Sequence, residues 1–151
     1  MSGENKRAEE KRLRDAVAGL QKIAPGTIGD QLGFSLAQQR EEEYTFRCRT
    51  ETWMANAAGT LHGGIAAAVV DQAMGFVVYA IQPGEGFSPT VEMQLSYHRP
   101  LRPQGELLVR VRVMSRGKSL MHLRAELFME DAPEKLCVSA TAVYALVPAK
   151  Q

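Results

Sequence analysis

The sequence predicts an α+β domain in which a curved antiparallel β-sheet wraps around a long central α-helix, and three observations predict it. The run Ile65 to Ile81, IAAAVVDQAMGFVVYAI, is apolar on almost every side, as a helix buried all round must be. After it, successive segments alternate apolar and polar residues, the pattern of strands with one buried face. Short turns between these segments imply antiparallel pairing, and only such a sheet can cover the apolar helix.

The elements follow in order. From Glu4 to about Ile23 the chain is rich in helix formers, with Leu13, Ala16, Val17 and Leu20 recurring at helical spacing. That narrow stripe can dock while the charged leading turn faces water. Pro25-Gly26 ends the helix. Residues 1–26 therefore read as an N-terminal helical segment ahead of a main body at 27–151, the two forming one domain overall. Between Gly33 and Arg49, Phe34 and Leu36 and then Tyr44, Phe46 and Cys48 alternate with polar neighbours, giving one or two strands. A turn-rich stretch, WMANAAGTLHGG, leads into the apolar helix, and Pro83-Gly84-Glu85-Gly86 forms a loop after it. Four strands follow, carrying Val91, Met93, Leu95 and Tyr97, then Val109, Val111 and Val113, then Leu123, Ala125, Leu127 and Met129, then Leu136 to Val147.

A membrane span competes for the apolar run. Spanning takes roughly 20 consecutive apolar residues, and Asp71 with Gln72 in the middle makes insertion costlier. A central helix of a soluble protein is the expectation. Eighteen basic against 17 acidic residues leave a net charge of +1, with no general pull toward nucleic acid or an acidic membrane. Cys48 and Cys137 form no CxxC and no Cys/His pairing at zinc spacing, so they read as two reduced structural thiols. The N-terminus is too charged for a signal peptide, which points to the cytoplasm.

Asp71 is the residue to explain. A carboxylate inside an apolar helix costs several kcal/mol unless something compensates it, and functional sites are where such costs are tolerated. The plainer reading is a carboxylate that only hydrogen-bonds to a partner subunit. Gly59, Gly63 and Gly64 bracket the start of the helix, and glycine lets a ligand approach the backbone closely. Free N–H groups at a helix start can polarise a thioester carbonyl and hold the oxyanion formed on attack. Asp71 lies two turns further in, roughly 12 Å from Gly63 by helical rise. A two-fold dimer with paired helices would close that gap with the partner's Asp71.

The run Asn56-Ala57-Ala58-Gly59-Thr60-Leu61-His62-Gly63-Gly64, followed by Asp71-Gln72-Ala73, resembles the N…G…HGG…D-x-A signature of the PaaI-type hotdog-fold acyl-CoA thioesterases, the family of the phenylacetate-pathway thioesterase. Thr90 to Pro100 looks like that family's strand after the central helix, and the likeness runs from about Gly33 to Val147. The resemblance implies a hotdog fold and hydrolysis of aryl- or medium-chain acyl-CoA to free acid and CoA, without metal or cofactor. It implies that Asp71 acts as general base on water or as nucleophile. Gly63 would polarise the carbonyl through its N–H, and Asn56 would orient the water or the carboxylate. His62 would stand beside the thioester, and the Thr90 hydroxyl would help hold the water. It further implies homodimers, commonly paired into homotetramers, with Asp71 from one subunit and Asn56, His62 and Gly63 from the other.

Other residues have two readings each. His62 either caps the helix start or acts as a base, with positioning favoured on geometry. His98 and His122 read as solvent-side strand residues. Arg99, Arg102, Arg116 and Lys118 either bind CoA phosphates or form an ordinary solvated rim, and Arg99 and Arg116, with Gly64, are carried as substrate-binding candidates. Trp53, Met54, Phe76, Tyr79 and Phe87 could line an acyl pocket, although core packing is the default for each. Two rivals to hydrolysis remain. One is a non-catalytic acyl-CoA-binding protein on the same fold. The other is a hotdog dehydratase, whose HFP-like motif is absent.

Overall fold

The computed structural model describes residues 3–82 and 88–147, with the backbone alone for residues 20–23. The Leu20 side chain, the Pro83 to Gly86 loop and Phe87 lie outside the described residues. The elements are α1 (Gly3–Ile23), α2 (Ile28–Gln31), β1 (Ser35–Arg40), β2 (Glu43–Thr50), α3 (Gly63–Ile81), β3 (Thr90–Tyr97), β4 (Gly105–Arg116), β5 (Leu120–Met129) and β6 (Val138–Ala145). Every strand pairing is antiparallel, in one six-stranded sheet of order β1-β2-β4-β5-β6-β3. The expected strands are all present, and the segment from Gly33 to Arg49 resolves into two, turning at Glu41-Glu42.

The period-two alternation puts one row of each strand against α3. Tyr44, Phe46 and Cys48 of β2, Leu107, Val109 and Val111 of β4, Leu123, Ala125 and Leu127 of β5, and Val138, Ala140 and Ala142 of β6 are all buried. Val69, Val70, Ala73, Met74 and Val77 of α3 meet them. Phe34 packs edge-on against Phe46 and Phe76, which are tilted 30° to each other, with ring centroids 5.5 to 6.3 Å apart. The opposite sheet face is polar and carries ion pairs such as Arg47–Glu130 and Arg124–Glu126, half-exposed contacts that contribute little to stability.

Two expectations about α3 are corrected. By length and composition Gly63–Ile81 is able to cross a bilayer, so length does not exclude a span; its packing inside the sheet is what assigns it to a core. Nor is it buried all round. The sheet covers one side, and a strip through Gly64, Ala68, Asp71, Gln72, Gly75 and Tyr79 is half-buried or exposed, with Tyr79 54% exposed. These residues recur every three or four positions, so they form one face of the helix. Asp71, expected to be buried, is half-buried in the single chain because it stands on that face.

Helix α1 closes the flank of the core. Leu13 is fully buried and Val17 nearly so, as the stripe predicts. One turn earlier the same stripe carries Glu9, which is also buried and takes the Tyr44 hydroxyl hydrogen and, at 3.3 Å, the Gln39 amide hydrogen. The Arg12 guanidinium donates to the Ala80 carbonyl at 2.8 Å, placing a cation on the C-terminal end of α3, where the helix dipole favours it.

Two outcomes follow for stability. Leu13→Ala should cost roughly 2–5 kcal/mol in urea unfolding, as expected for truncating a fully buried leucine; a loss below about 1 kcal/mol would mean that α1 is not docked in solution. Burial, reinforced by the hydrogen bond to Glu9, pushes the Tyr44 phenol well above its ordinary value of 10.0, and burial with the Asp71 hydrogen bond does the same to Tyr144. A phenol raised in the fold keeps its stabilising contribution below its unfolded value and loses it as pH climbs beyond. Alkaline absorbance should therefore show these two phenolates only together with unfolding above about pH 10.

Candidate active site

Two clusters of polar groups stand at opposite ends of the sheet. The first surrounds Asp71. Thr90 donates its hydroxyl to Asp71 Oδ1 at 2.7 Å, and the Tyr144 phenol donates to the same oxygen at 2.6 Å. The phenol oxygen also lies 2.9 Å from the Asp71 main-chain carbonyl. No described residue partners Oδ2.

The register explains how Thr90 reaches the carboxylate. Met93 and Leu95 face the core, so simple alternation would turn Thr90 to the outside. A bulge between Thr90 and Glu92 breaks the alternation and sets Thr90 opposite Tyr144, whose side chain is buried on the helix side. Bulges re-aim side chains in this way. The same row continues through Met121 to Arg116, just past a second bulge between Val113 and Ser115 of β4.

The second cluster is the start of α3. His62 is the N-cap residue, and its ring Nδ1 accepts the Gly64 N–H at 2.9 Å. This bond requires a bare Nδ1 and puts the neutral ring's proton on Nε2. The His62 carbonyl accepts the N–H groups of Ile65 and Ala66 at 2.9 and 3.2 Å. The four N–H groups without an i−4 partner are those of His62, Gly63, Gly64 and Ile65. Three are satisfied, His62 N–H by the Met54 carbonyl at 2.8 Å, Gly64 N–H by the ring and Ile65 N–H by the His62 carbonyl. The fourth, Gly63 N–H, meets no acceptor among the described residues. A Cβ on Gly64 would come within 3.1 Å of His62 Nδ1, so glycine lets the ring fold back over the turn. The Tyr97 hydroxyl donates to the Gly63 carbonyl at 2.8 Å and fixes this turn to the end of β3.

Asn56 builds the loop before the helix. Its Oδ1 accepts from Ala58 N at 2.9 Å and Thr60 N at 3.2 Å, and Nδ2 donates to Thr60 Oγ1 at 2.9 Å. One amide hydrogen remains for a ligand. Beside this loop a depression of about 320 Å³ is lined by Asn56, Ala66, Tyr97, His98 and Arg99 among others. Arg99 donates to the Leu136 carbonyl at 2.8 Å and leaves its other guanidinium hydrogens outward.

Within one chain, then, Asn56, His62, Gly63, Gly64 and Arg99 belong to one end, and Asp71, Thr90 and Arg116 to the other. The span along β3 from Thr90 to Tyr97 is roughly 23 Å at strand rise. His98 and His122 are exposed, with His98 Nε2 2.8 Å from Ser139 Oγ. Met54 and Phe76 are core residues, whereas Trp53 and Tyr79 are more than half exposed. Both cysteines are free and buried, and burial pushes the Cys48 thiol up to about 12, which removes it as a nucleophile. Sequence reasoning missed Tyr144 and Tyr97. Each is one more aromatic residue in an alternating strand, and only the strand register turns it into a hydrogen-bond donor to the site.

No curated protein matches the chain. Among solved structures, a mutant thioesterase of Pseudomonas aeruginosa superposes with a TM-score of 0.76 at 20% identity, over 89% of this chain and 94% of its own. The PaaI protein of the Escherichia coli phenylacetic acid degradation operon gives 0.76 at 16% identity, over 93% and 96%. Thioesterase superfamily member 2 of Mus musculus gives 0.73 at 21%, over 97% and 99%. The shared fold is the hotdog fold of the PaaI-type thioesterases. The sequence profile of the thioesterase superfamily matches residues 58–136, just over half of the chain, from the loop before α3 to the end of the β5–β6 turn. The chain belongs to the thioesterase superfamily, and its enzyme class is that of a thioester hydrolase.

Proposed function

We propose that the chain hydrolyses aryl- or medium-chain acyl-CoA to the free acid and CoA, at a site shared between two subunits. The observation that carries this reading is a pair of groups without a partner among the described residues: Asp71 Oδ2 and the Gly63 N–H. The Gly63 N–H, at the positive end of the α3 dipole, polarises the thioester carbonyl. Asp71 takes a proton from water as the water oxygen bonds to the carbonyl carbon. The carbonyl electrons move onto oxygen and are held by Gly63 N–H. They then return as the C–S bond breaks, and the thiolate leaves and recovers a proton. Asp71 attacking the carbonyl directly is the variant of this scheme with a covalent anhydride that water then cleaves.

The two groups lie roughly 12 Å apart along one helix, so a single chain does not complete the site. The open face of α3 supports a second copy as the missing half. A Cβ added at Gly75, in the middle of that face, would meet nothing within 4 Å, so the space beside it is free for a neighbour. Antiparallel pairing of two such faces sets each Asp71 toward the other chain's Gly63. The same pairing brings one chain's Arg116 and the other's Arg99 to the flanks of each site, where both suit CoA phosphates. His62 serves as the cap that shapes the Gly63 turn, and Asn56 offers its remaining amide hydrogen to the substrate. Gly64, its N–H spent on His62, contributes space. Further pairing into a homotetramer and a cytoplasmic location complete the reading, the latter supported by two free thiols.

Two substitutions test the pair. Asp71→Asn should lower kcat for release of CoA thiol by about 10²- to 10⁴-fold. Gly63→Pro replaces the N–H with a ring carbon and so removes the donor. Proline suits the first helical position, His62 before it already has the extended φ −61, ψ 133, and a Cβ at Gly63 would make ordinary contacts of 3.4 Å with Tyr97. Its kcat should fall by about 10²- to 10³-fold, the usual effect of losing one oxyanion donor. Wild-type turnover in either variant would overturn the mechanism, and tight acyl-CoA binding without turnover in the wild type would favour the non-catalytic alternative.

A further inference from the structure

We infer that Tyr144 is a positioning residue for Asp71: with Thr90 it holds Oδ1 and thereby assigns the chemistry to Oδ2. The inference rests on the reading of Asp71 above and adds which oxygen reacts and what selects it. Two hydroxyl donors at 2.7 and 2.6 Å converge on Oδ1, and no described residue touches Oδ2. A carboxylate on a half-exposed helix face would otherwise rotate about its terminal torsion, which has a broad and nearly two-fold profile. Two donors from adjacent strands remove that freedom and fix the plane of the group.

Tyr144 is suited to the task in ways Thr90 is not. Its side chain is 2% exposed, and its register between Met121 of β5 and Thr90 of β3 leaves the ring no alternative place. Burial first, then the hydrogen bond to Asp71, holds the phenol far above its ordinary range, with Thr90 pulling slightly the other way. Asp71 is the one charged side chain acting on it among the described residues. The phenol is therefore held as a donor well above neutral pH.

The phenol oxygen also has a second acceptor, the Asp71 carbonyl at 2.9 Å. One hydroxyl hydrogen serves one acceptor fully at a time. While Asp71 is ionised, the charged Oδ1 is the stronger acceptor and takes it. Once Oδ2 has accepted the proton of water, Oδ1 weakens as an acceptor and the hydrogen can turn to the main-chain carbonyl. Tyr144 thus finds an acceptor on Asp71 before and after the proton transfer, so the residue stays anchored throughout.

The test compares wild type, Asp71→Asn, Tyr144→Phe and Thr90→Val by CoA-thiol release and by urea unfolding. Tyr144→Phe removes one buried oxygen. It is expected to lower kcat roughly tenfold or more and to leave KM within about twofold. A purely structural tyrosine would lower stability and leave kcat of the folded enzyme unchanged. If Tyr144→Phe does not fold, 3-fluorotyrosine at position 144 nearly keeps the size, strengthens the donor and should change kcat by about twofold or more with KM unchanged. An active wild type with kcat unmoved in the folded phenylalanine variant, or in the fluorotyrosine variant, overturns the role of Tyr144 alone. An inert wild type, or Asp71→Asn as active as wild type, overturns the reading of the site and this inference with it.

Discussion

The constraint on which the rest depends is the covering of α3. A 19-residue helix with so little polar surface must be enclosed, and a sheet can enclose only one side of it. Twist lets the six strands curl around that side. Helix α1 seals the flank through Leu13, Val17 and the buried Glu9–Tyr44 contact, and Arg12 caps the C-terminal end. What stays open is a single strip, and Asp71 stands in its middle. Folding therefore leaves one carboxylate and one apolar helix face without a complete environment. The second copy proposed above would complete both.

The chemistry grows from hydrogen-bond accounting at two places. At the start of α3, the His62 ring takes the Gly64 N–H, its carbonyl takes the Ile65 N–H and its own N–H goes to the Met54 carbonyl, which leaves Gly63 N–H without an acceptor among the described residues. At Asp71, two hydroxyls satisfy one oxygen and leave the other over. On an open face water can serve both groups, and each becomes costly only once a second surface excludes that water. A thioester carbonyl and a water molecule would supply the missing partners. The histidine in the HGG run thus has a structural task that makes the neighbouring glycine available, which is a better account of it than a base at Nδ1.

Much of this was legible in the sequence. The antiparallel sheet followed from period-two alternation in β2, β4, β5 and β6, and α3 from its apolar run. The separation of Gly63 and Asp71 along one helix followed from helical spacing. What was not legible depended on register and on contacts between elements. The β1–β2 turn at Glu41-Glu42 lacks the Asn or Gly that marks a tight hairpin, although Glu41 adopts a φ of 50. The bulge that aims Thr90 at Asp71 leaves no trace in an alternating strand, and Tyr144 gains its meaning only from lying opposite Thr90. Glu9 looked like one more charge on a solvated turn until Tyr44 and Gln39 came to meet it. The open face of α3 was hidden too, because small apolar residues read the same whether a sheet or a second helix covers them.

The central claim is that Asp71 and Gly63 of one site come from different chains, and mixed-subunit complementation tests it most directly. Asp71→Asn and Gly63→Pro, each inactive alone, are co-expressed with different affinity tags, and the doubly tagged mixed species is purified and assayed for CoA-thiol release. If the site is shared, each mixed dimer holds one site with both defects and one with neither, so roughly half of wild-type kcat per dimer returns with wild-type KM. If each chain works alone, every site keeps a defect, and a mixed species no more active than its parents would contradict the account.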